Sequence, residues 1–137
     1  MITISNTIPS REQLLALYDS VGWSAYTEEP DRLVRAVTSS LAVFTAWDGP
    51  HLAGLLRTVG DGETILYIQD LLVTPVCQRR GIGRQLVEAC LARYPHVRQK
   101  VLLTDTTAKN LAFYRACGFV PSGDFGCTAF LRLENIP

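Results

Sequence analysis

The sequence is poor in the residue patterns that bind metals or form disulfide frameworks. It contains two histidines, and its four cysteines show no CxxC pair and no histidine at a ligand spacing. We therefore predict no metal site. We expect reduced thiols, as in a cytoplasmic protein, at Cys77, Cys90, Cys117 and Cys127.

Net charge and long apolar runs are also missing. Thirteen basic residues balance thirteen acidic ones, so no whole-molecule field attracts nucleic acid or an anionic membrane surface. No run reaches the roughly 18–20 apolar residues of a membrane-spanning helix, and the first residues lack the pattern of a signal peptide. We predict neither a nucleic-acid nor a membrane partner, and we consider a homodimer as the assembly.

The composition is suited to a buried core, because 47% of the 137 residues are hydrophobic. This predicts one domain over residues 1–137. The order of elements is predicted as βααβββαβαββ, an α/β fold with a mixed, mostly antiparallel sheet and helices on both faces. The strands are predicted at 2–5, 41–47, 52–59, 64–74, 101–105, 119–120 and 127–133, and the helices after Ser10, from Pro30, after Gly83 to about Tyr94, and at 108–117.

The entry to the helix after the long strand resembles an anion site. Glycines at 81 and 83 allow backbone amides to approach a phosphate at a helix N-terminus, and three arginines supply local positive charge. The spacing matches neither a P-loop nor a dinucleotide-binding fingerprint. The alternative is an ordinary strand-to-helix turn with solvated arginines.

Two motifs resemble those of GNAT acetyltransferases. Residues 78–83, Gln-Arg-Arg-Gly-Ile-Gly, are similar to the family's Q/R-x-x-G-x-G/A signature, preceded by Val73-Thr74-Pro75. Residues 110–119, Asn-Leu-Ala-Phe-Tyr-Arg-Ala-Cys-Gly-Phe, are similar to the later A-x-x-FY-x-x-x-GF motif. The resemblance implies a GNAT fold, acetyl-CoA as co-substrate and transfer of its acetyl group to a primary amine of a small molecule.

The resemblance also implies which residues contact acetyl-CoA. The helix entry would bind the pyrophosphate, and the strand before it would pair with the pantetheine. Many relatives carry Asn where this chain has Thr107, so whether Thr107 or Asn110 contacts CoA stays open. The implied contacts are Leu71, Leu72, Val73, Gln78, Arg79, Arg80, Gly81, Ile82, Gly83, Arg84 and one of Thr107 and Asn110.

Two residues are candidates for proton transfer. By resemblance Tyr114 is the acid that protonates the leaving thiolate, and its alternative role is packing. Asp70, next to Gln69, interrupts an apolar strand. Because an unpartnered buried carboxylate is costly, Asp70 either lines a cleft as the base or is a structural carboxylate. Water and the acidic pair Glu28 and Glu29 remain alternative bases.

The acceptor site is predicted to be built by the region of the first two helices and by the last strands. Trp23 and Tyr26 are candidates to contact the amine substrate, together with Glu28 and Gln69, and the alternative is a loop held to the core by its aromatic rings. Residues 17–23 and the strand segment 70–73 resemble a short subgroup that includes plant-type serotonin N-acetyltransferases. A protein lysine or N-terminal acetyltransferase and a non-catalytic CoA-binding module are the alternative functions.

Overall fold

Residues 1–103 are organised around one sheet of five strands. The computed structural model describes residues 1–134, and the chain divides into two units, residues 1–103 and residues 104–137. Neighbours in the sheet follow chain order; the first four strands are antiparallel, and the fifth is parallel to the fourth. The strands are β1 (Ile2–Ser5), β2 (Ala42–Asp48), β3 (His51–Gly60), β4 (Ile65–Val73) and β5 (Gln99–Leu102).

Three helices precede β2. At the start of α1 (Arg11–Ser20) the Ser10 side chain accepts from the Gln13 backbone amide while the Gln13 side chain accepts from the Ser10 backbone amide, so the sequence Ser-Arg-Glu-Gln, which is typical of a capping box, forms one. A short α2 (Ser24–Thr27), which the sequence pattern did not predict, leads to α3 (Pro30–Thr38). One core cluster joins these helices to the sheet, and it contains Leu14, Leu17, Tyr18, Leu33, Val37, Val43, Leu55 and Leu72.

The other face of the sheet is covered by α4 (Ile82–Arg93). Gly54 in β3 is the point of closest approach, because a Cβ atom there would lie 3.2 Å from Leu86 Cδ1 and 3.3 Å from Ile82 Cγ2. A side chain at this position would require Leu86 and Ile82 to shift by a few tenths of an ångström. The glycine therefore allows α4 to pack closely on β3.

A β-bulge interrupts the pairing of β3 with β4. Arg57 lies opposite Asp70, and the next β3 residue, Thr58, lies opposite Ile68, so Gln69 is an extra residue. Because Arg57 and Thr58 face opposite sides of the sheet, so do Asp70 and Ile68. The bulge thus turns Asp70 toward the side of α1 and leaves Ile68 on the side of α4.

The second unit contains α5 (Ala108–Ala116) and a 3-10 helix (Ser122–Phe125). The strands predicted at 119–120 and 127–133 are absent from the part of this unit that the structure describes. The Phe119 amide donates instead to the Tyr114 carbonyl and caps α5, with Gly118 at φ +92°. Residues 127–133 have no ladder partner there, and strand-like alternation without one does not make a strand.

The predicted fold class is confirmed, a mixed and mostly antiparallel α/β sheet with helices on both faces. The strands predicted at 41–47 and 52–59 are present as β2 and β3, which pair as an antiparallel hairpin. No helix within residues 1–134 combines the length and the apolar character that crossing a bilayer requires.

Candidate functional site

The turn between β4 and α4 (residues 74–81) leaves helix amides open to a ligand. Gly81, the N-cap of α4, has φ +74°, and no side chain caps the helix. A Cβ atom at Gly81 would meet nothing within 4 Å, so the space in front of the helix is open. The first amides of a helix have no intrahelical acceptor. Here they can bind an anion directly.

The rest of the turn is shaped by two neighbouring residues. The Gln78 side-chain amide donates to the Val73 carbonyl at 3.0 Å and ties the turn to the end of β4. Arg79 has φ +66°, and it is the one non-glycine residue with a positive φ among residues 1–134. Gln78 therefore has a structural contact in the turn, whereas the backbone of Arg79 adopts a conformation that L residues rarely take.

The three arginines near this turn, two in the turn and one in the first turn of α4, differ in their ion-pair partners. Arg80 Nη1 lies 3.5 Å from Asp48 Oδ2, and Arg84 Nε lies 2.9 Å from Glu88 Oε1 on the helix surface. Arg79 forms no ion pair within the described part of the chain. Exposed pairs of this kind contribute little, about 0–1 kcal/mol. All three guanidinium groups can therefore reorient toward a phosphate, and Arg79 has no ion pair to break.

The second half of β4 continues past its neighbour. Pairing with β5 ends where Ile68 meets Leu102, while pairing with β3 continues to Val73, opposite Gly54. Within residues 1–103, the stretch 71–73 has no strand partner on the β5 side. An extended ligand can hydrogen-bond to this backbone as an added strand would. The predicted cofactor residues of β4 and of the turn thus form one continuous surface.

Asp70 lies in a buried polar cluster with Tyr18, Tyr26 and Arg57. Arg57 Nε donates to Asp70 Oδ2 at 2.6 Å, the Tyr18 hydroxyl donates to the same oxygen at 2.9 Å, and the Tyr26 hydroxyl donates to Oδ1 at 2.8 Å. Asp70 is 3% exposed and Arg57 7%. Both carboxylate oxygens are therefore occupied, and the charge of Asp70 is balanced at once by Arg57.

The ionisation of the cluster follows from these contacts. Burial, and then the charge of Asp70, raise the pKa of Tyr18 and of Tyr26 above that of an ordinary tyrosine. Burial alone would lower the pKa of Arg57, but the charge and the hydrogen bond of Asp70 raise it above its ordinary value. Both phenols stay protonated and Arg57 stays charged at physiological pH.

The predicted acceptor residues divide into two groups. Trp23 and Tyr26 are half-buried, and their ring centroids are 6.2 Å apart. The Tyr26 hydroxyl donates to Asp70. The exposed Gln69 is the neighbour of Asp70 in the chain. Glu28 is exposed at the end of α2 and belongs to no ion pair among residues 1–134. Glu29 pairs with Arg32 at 3.3 Å. The structure brings Trp23, Tyr26, Gln69 and Asp70 together and leaves the two glutamates at the surface.

Sequence reasoning missed Arg57 and Tyr18. Arg57 is a single charge inside the apolar run of β3, which marks it as unusual. Regular pairing counted back from the turn would place it opposite Gln69, and the bulge brings it opposite Asp70 instead. Tyr18 gave no signal, because its position on α1 also fits plain core packing.

In the second unit, the predicted CoA residues of α5 have local structural contacts. The Thr107 hydroxyl accepts from the Asn110 amide at 3.3 Å and caps α5, while the Thr107 hydroxyl and the Asn110 side chain both donate to Asp105. These hydrogen bonds, that of Thr107 first, lower the pKa of Asp105. Burial raises the pKa of Tyr114, with the charges of Cys117 and Asp105 adding to the effect, so this phenol stays protonated near neutral pH.

Within residues 1–134, no group of three His, Cys, Asp or Glu side chains is arranged to hold a metal ion.

Comparison with known proteins gives a consistent result. The model of the acetyltransferase (GNAT) family matches residues 9–119. The GNAT family acetyltransferase SP0256 from Streptococcus pneumoniae TIGR4 is 37% identical, with a TM-score of 0.88 over 99% of this chain and 100% of that chain. No curated protein matches the chain significantly.

Two solved structures of AAC(6')-Iy share the fold at 16% identity. The structure with the bisubstrate analog CoA-S-monomethyl-acetylneamine has a TM-score of 0.76 over 98% of this chain and 99% of that chain. The structure of this aminoglycoside N-acetyltransferase with CoA has a TM-score of 0.75 over 98% of this chain and 95% of that chain.

Proposed function

Because the chain belongs to the GNAT family of acetyltransferases, we propose that it transfers the acetyl group of acetyl-CoA to the primary amine of a small molecule. Acetyl-CoA-dependent N-acetyl transfer is the activity of the family, and the small acceptor is our proposal. The observation that carries the cofactor site is the uncapped N-terminus of α4 behind Gly81.

The residues at this terminus fit the charge and shape of CoA. The pyrophosphate would accept from the amides of residues 82–84, with Arg79 as the first guanidinium to reach it. The pantetheine amides would pair with the backbone of residues 71–73. Gln78 would act indirectly, because its side chain is already bonded to the Val73 carbonyl. For Thr107 and Asn110 we propose a structural role at the N-cap of α5. Contact with CoA is the alternative role for either residue.

Two proton transfers complete the reaction. The amine loses a proton as it attacks the thioester carbonyl, and the thiolate of CoA gains one as the tetrahedral intermediate collapses. We propose Tyr114 as the donor to the thiolate, which its raised pKa supports because the phenol stays protonated.

The base is proposed to be a water molecule near Asp70. Asp70 is poorly suited to remove the proton directly, because it is buried, already accepts three hydrogen bonds from Tyr18, Tyr26 and Arg57, and is paired with a guanidinium charge that favours its ionised form. These contacts support a structural carboxylate over a base. Glu28 stays an alternative, because it is exposed and belongs to no ion pair in the part of the chain described.

The acceptor is proposed to bind against Trp23 and Tyr26. The half-buried rings offer an apolar surface for the carbon skeleton of an amine, and an aromatic face attracts an ammonium group. This supports a small acceptor with an apolar or aromatic part. The resemblance to serotonin N-acetyltransferases that we propose is consistent with such an acceptor, because an arylalkylamine is one kind of small amine with an aromatic part.

The two units are proposed to act as one acetyltransferase domain. The family model runs from residue 9 to residue 119 and so crosses the boundary at residue 103. Both sets of proposed site residues are thus parts of one family pattern.

The test is an acceptor panel with acetyl-CoA, read as release of the CoA thiol and as the mass of the product. The panel contains an arylalkylamine, an aliphatic diamine, an aminoglycoside and peptides with free lysine and N-terminal amines. We expect the arylalkylamine to be acetylated with the highest kcat/KM. Acetylation of the peptides alone would contradict the small-molecule proposal, and thiol release equal to that without any acceptor would contradict the activity itself.

A further inference from the structure

We propose that Arg57 is the positioning residue of the acceptor site: by holding Asp70 and the Tyr26 hydroxyl together it fixes the aromatic face of α2 against which the amine binds. This inference rests on the proposed function, since it concerns the acceptor of that reaction. It gives a role to the buried ion pair, which neither the family signature nor the turn before α4 explains.

The argument begins with the weakness of α2 as a helix. It has four residues, its N-cap Trp23 makes no side-chain capping hydrogen bond, and none of its residues is buried. A single helical turn has no stability of its own in water. Its position must therefore come from contacts with the body of the first unit, which include the backbone hydrogen bond from the Trp23 amide to the Tyr18 carbonyl at 3.2 Å as well as side-chain contacts.

Among the side chains of α2, Tyr26 is the one that contacts the buried polar cluster. Its hydroxyl donates to Asp70 at 2.8 Å and accepts from Arg57 Nη2 at 3.3 Å. The guanidinium carbon of Arg57 lies 5.8 Å from the centre of the Tyr26 ring, and the ring of Tyr18 packs edge-on at 5.0 Å. One side chain, Arg57, thus contacts the Tyr26 ring, its hydroxyl and the carboxylate that the hydroxyl binds.

The geometry of Arg57 suits this role and not a chemical one. Arg57 and Asp70 are opposite each other across β3 and β4, beside the Gln69 bulge, so the backbone fixes their distance. Arg57 is almost fully buried and uses Nε for Asp70 and Nη2 for Tyr26. A planar guanidinium group can serve two acceptors in fixed directions at once, which a lysine ammonium cannot do as well.

A consequence concerns what the acceptor meets. Because Arg57 cancels the charge of Asp70, the wall formed by Trp23 and Tyr26 has no net charge behind it. An acceptor would be held by its apolar or aromatic part on the two rings, and not by an ion pair of its ammonium with Asp70. The position of the two rings then determines the affinity for the acceptor, and Arg57 sets that position.

The test is a double-mutant cycle of Arg57→Lys and Tyr26→Phe. Each variant keeps a similar volume, and Tyr26→Phe leaves the buried ion pair intact, so folding is preserved in at least one arm. We expect each variant to raise the acceptor KM about tenfold, which corresponds to about 1.4 kcal/mol of lost binding free energy, while calorimetry shows an unchanged Kd for acetyl-CoA. The double variant should show no further increase, because both changes remove the same contact.

A fluorescence arm tests the anchoring of α2 without any acceptor. The chain has two tryptophans, so Trp47→Phe leaves Trp23 as the one reporter. In that background Arg57→Lys and Tyr26→Phe should each shift Trp23 emission to longer wavelength, because the ring becomes more exposed. Arg11→Met, which breaks the exposed pair with Asp31, is the matched control and should change neither emission nor KM.

Several results would overturn the proposal. The acceptor KM of the double variant could rise by the product of the two single increases, or the acceptor KM could be unchanged in both single variants. Trp23 emission could stay at the wild-type wavelength. Folded Arg57→Lys protein could bind acetyl-CoA with a higher Kd than wild type. If no amine is acetylated by the wild-type chain, the proposed function fails, and the emission arm still decides whether Arg57 anchors α2.

Discussion

Replacement of Asp70 by asparagine separates a structural carboxylate from a catalytic base. Asparagine keeps the volume and can still accept from Tyr18, but it removes the negative charge next to Arg57. The guanidinium group is then left charged and buried, 7% exposed, with no counter-ion in the cluster. Breaking one side of a buried pair costs about 3–5 kcal/mol. At about 4 °C per kcal/mol for a chain of this length, Tm should fall by about 12–20 °C.

The assay combines thermal unfolding followed by circular dichroism with acetyl transfer measured from pH 6 to 9. Glu88→Gln is the control, because it breaks an exposed Arg–Glu pair and should cost no more than about 1 kcal/mol. A Tm within about 4 °C of wild type, with activity lost at neutral pH and regained at higher pH, would refute the structural reasoning. That pattern is expected of a base, because the free amine forms unaided as pH rises.

Three further predictions concern the cofactor turn, the acid and a buried thiol. Gly81→Ala should weaken acetyl-CoA binding measured by calorimetry. Gly22→Ala introduces nearly the same backbone strain, at φ +77°, and should leave that affinity unchanged. Equal losses of affinity in the two variants would show that the turn is not part of the CoA site. Tyr114→Phe should lower kcat about 10²-fold or more with little change in the KM for acetyl-CoA, and an unchanged kcat would exclude the acid role. Burial raises the pKa of the Cys90 thiol to about 11, with Lys100 opposing the shift. Folding therefore favours the protonated thiol, so stability against urea should decline between about pH 9 and 11, and less so in Cys90→Ala; identical pH profiles would contradict this.

The parts of the site that follow from local sequence were predictable. The capping box at Ser10 and the glycine at position 81 each act through a few neighbouring residues, and both have the structure that their local sequence favours. The family motifs added the order of the elements around them. Local rules of this kind need no knowledge of long-range packing.

What could not be predicted depends on partners distant in sequence. The role of Asp70 stayed open because the register across the bulge decides that it meets Arg57, and a bulge has no reliable sequence signal. The helix α2 was missed because tertiary contacts, those of Tyr26 among them, and not helix propensity, hold it. The strand at 127–133 was predicted from alternation alone, which says nothing about a partner strand.

The extra residue in β4 also has a consequence for how this chain can change its length. In a regular strand, deleting one residue reverses the side to which every later side chain points. Gln69 is different, because Ile68 and Asp70 already face opposite sides with Gln69 between them. A chain without Gln69 would keep each apolar residue of β4 on its present side, and it would lose only the local break in the ladder. Position 69 is therefore a place where this sheet tolerates the loss of a residue, so that the acceptor region can change while the core stays unchanged.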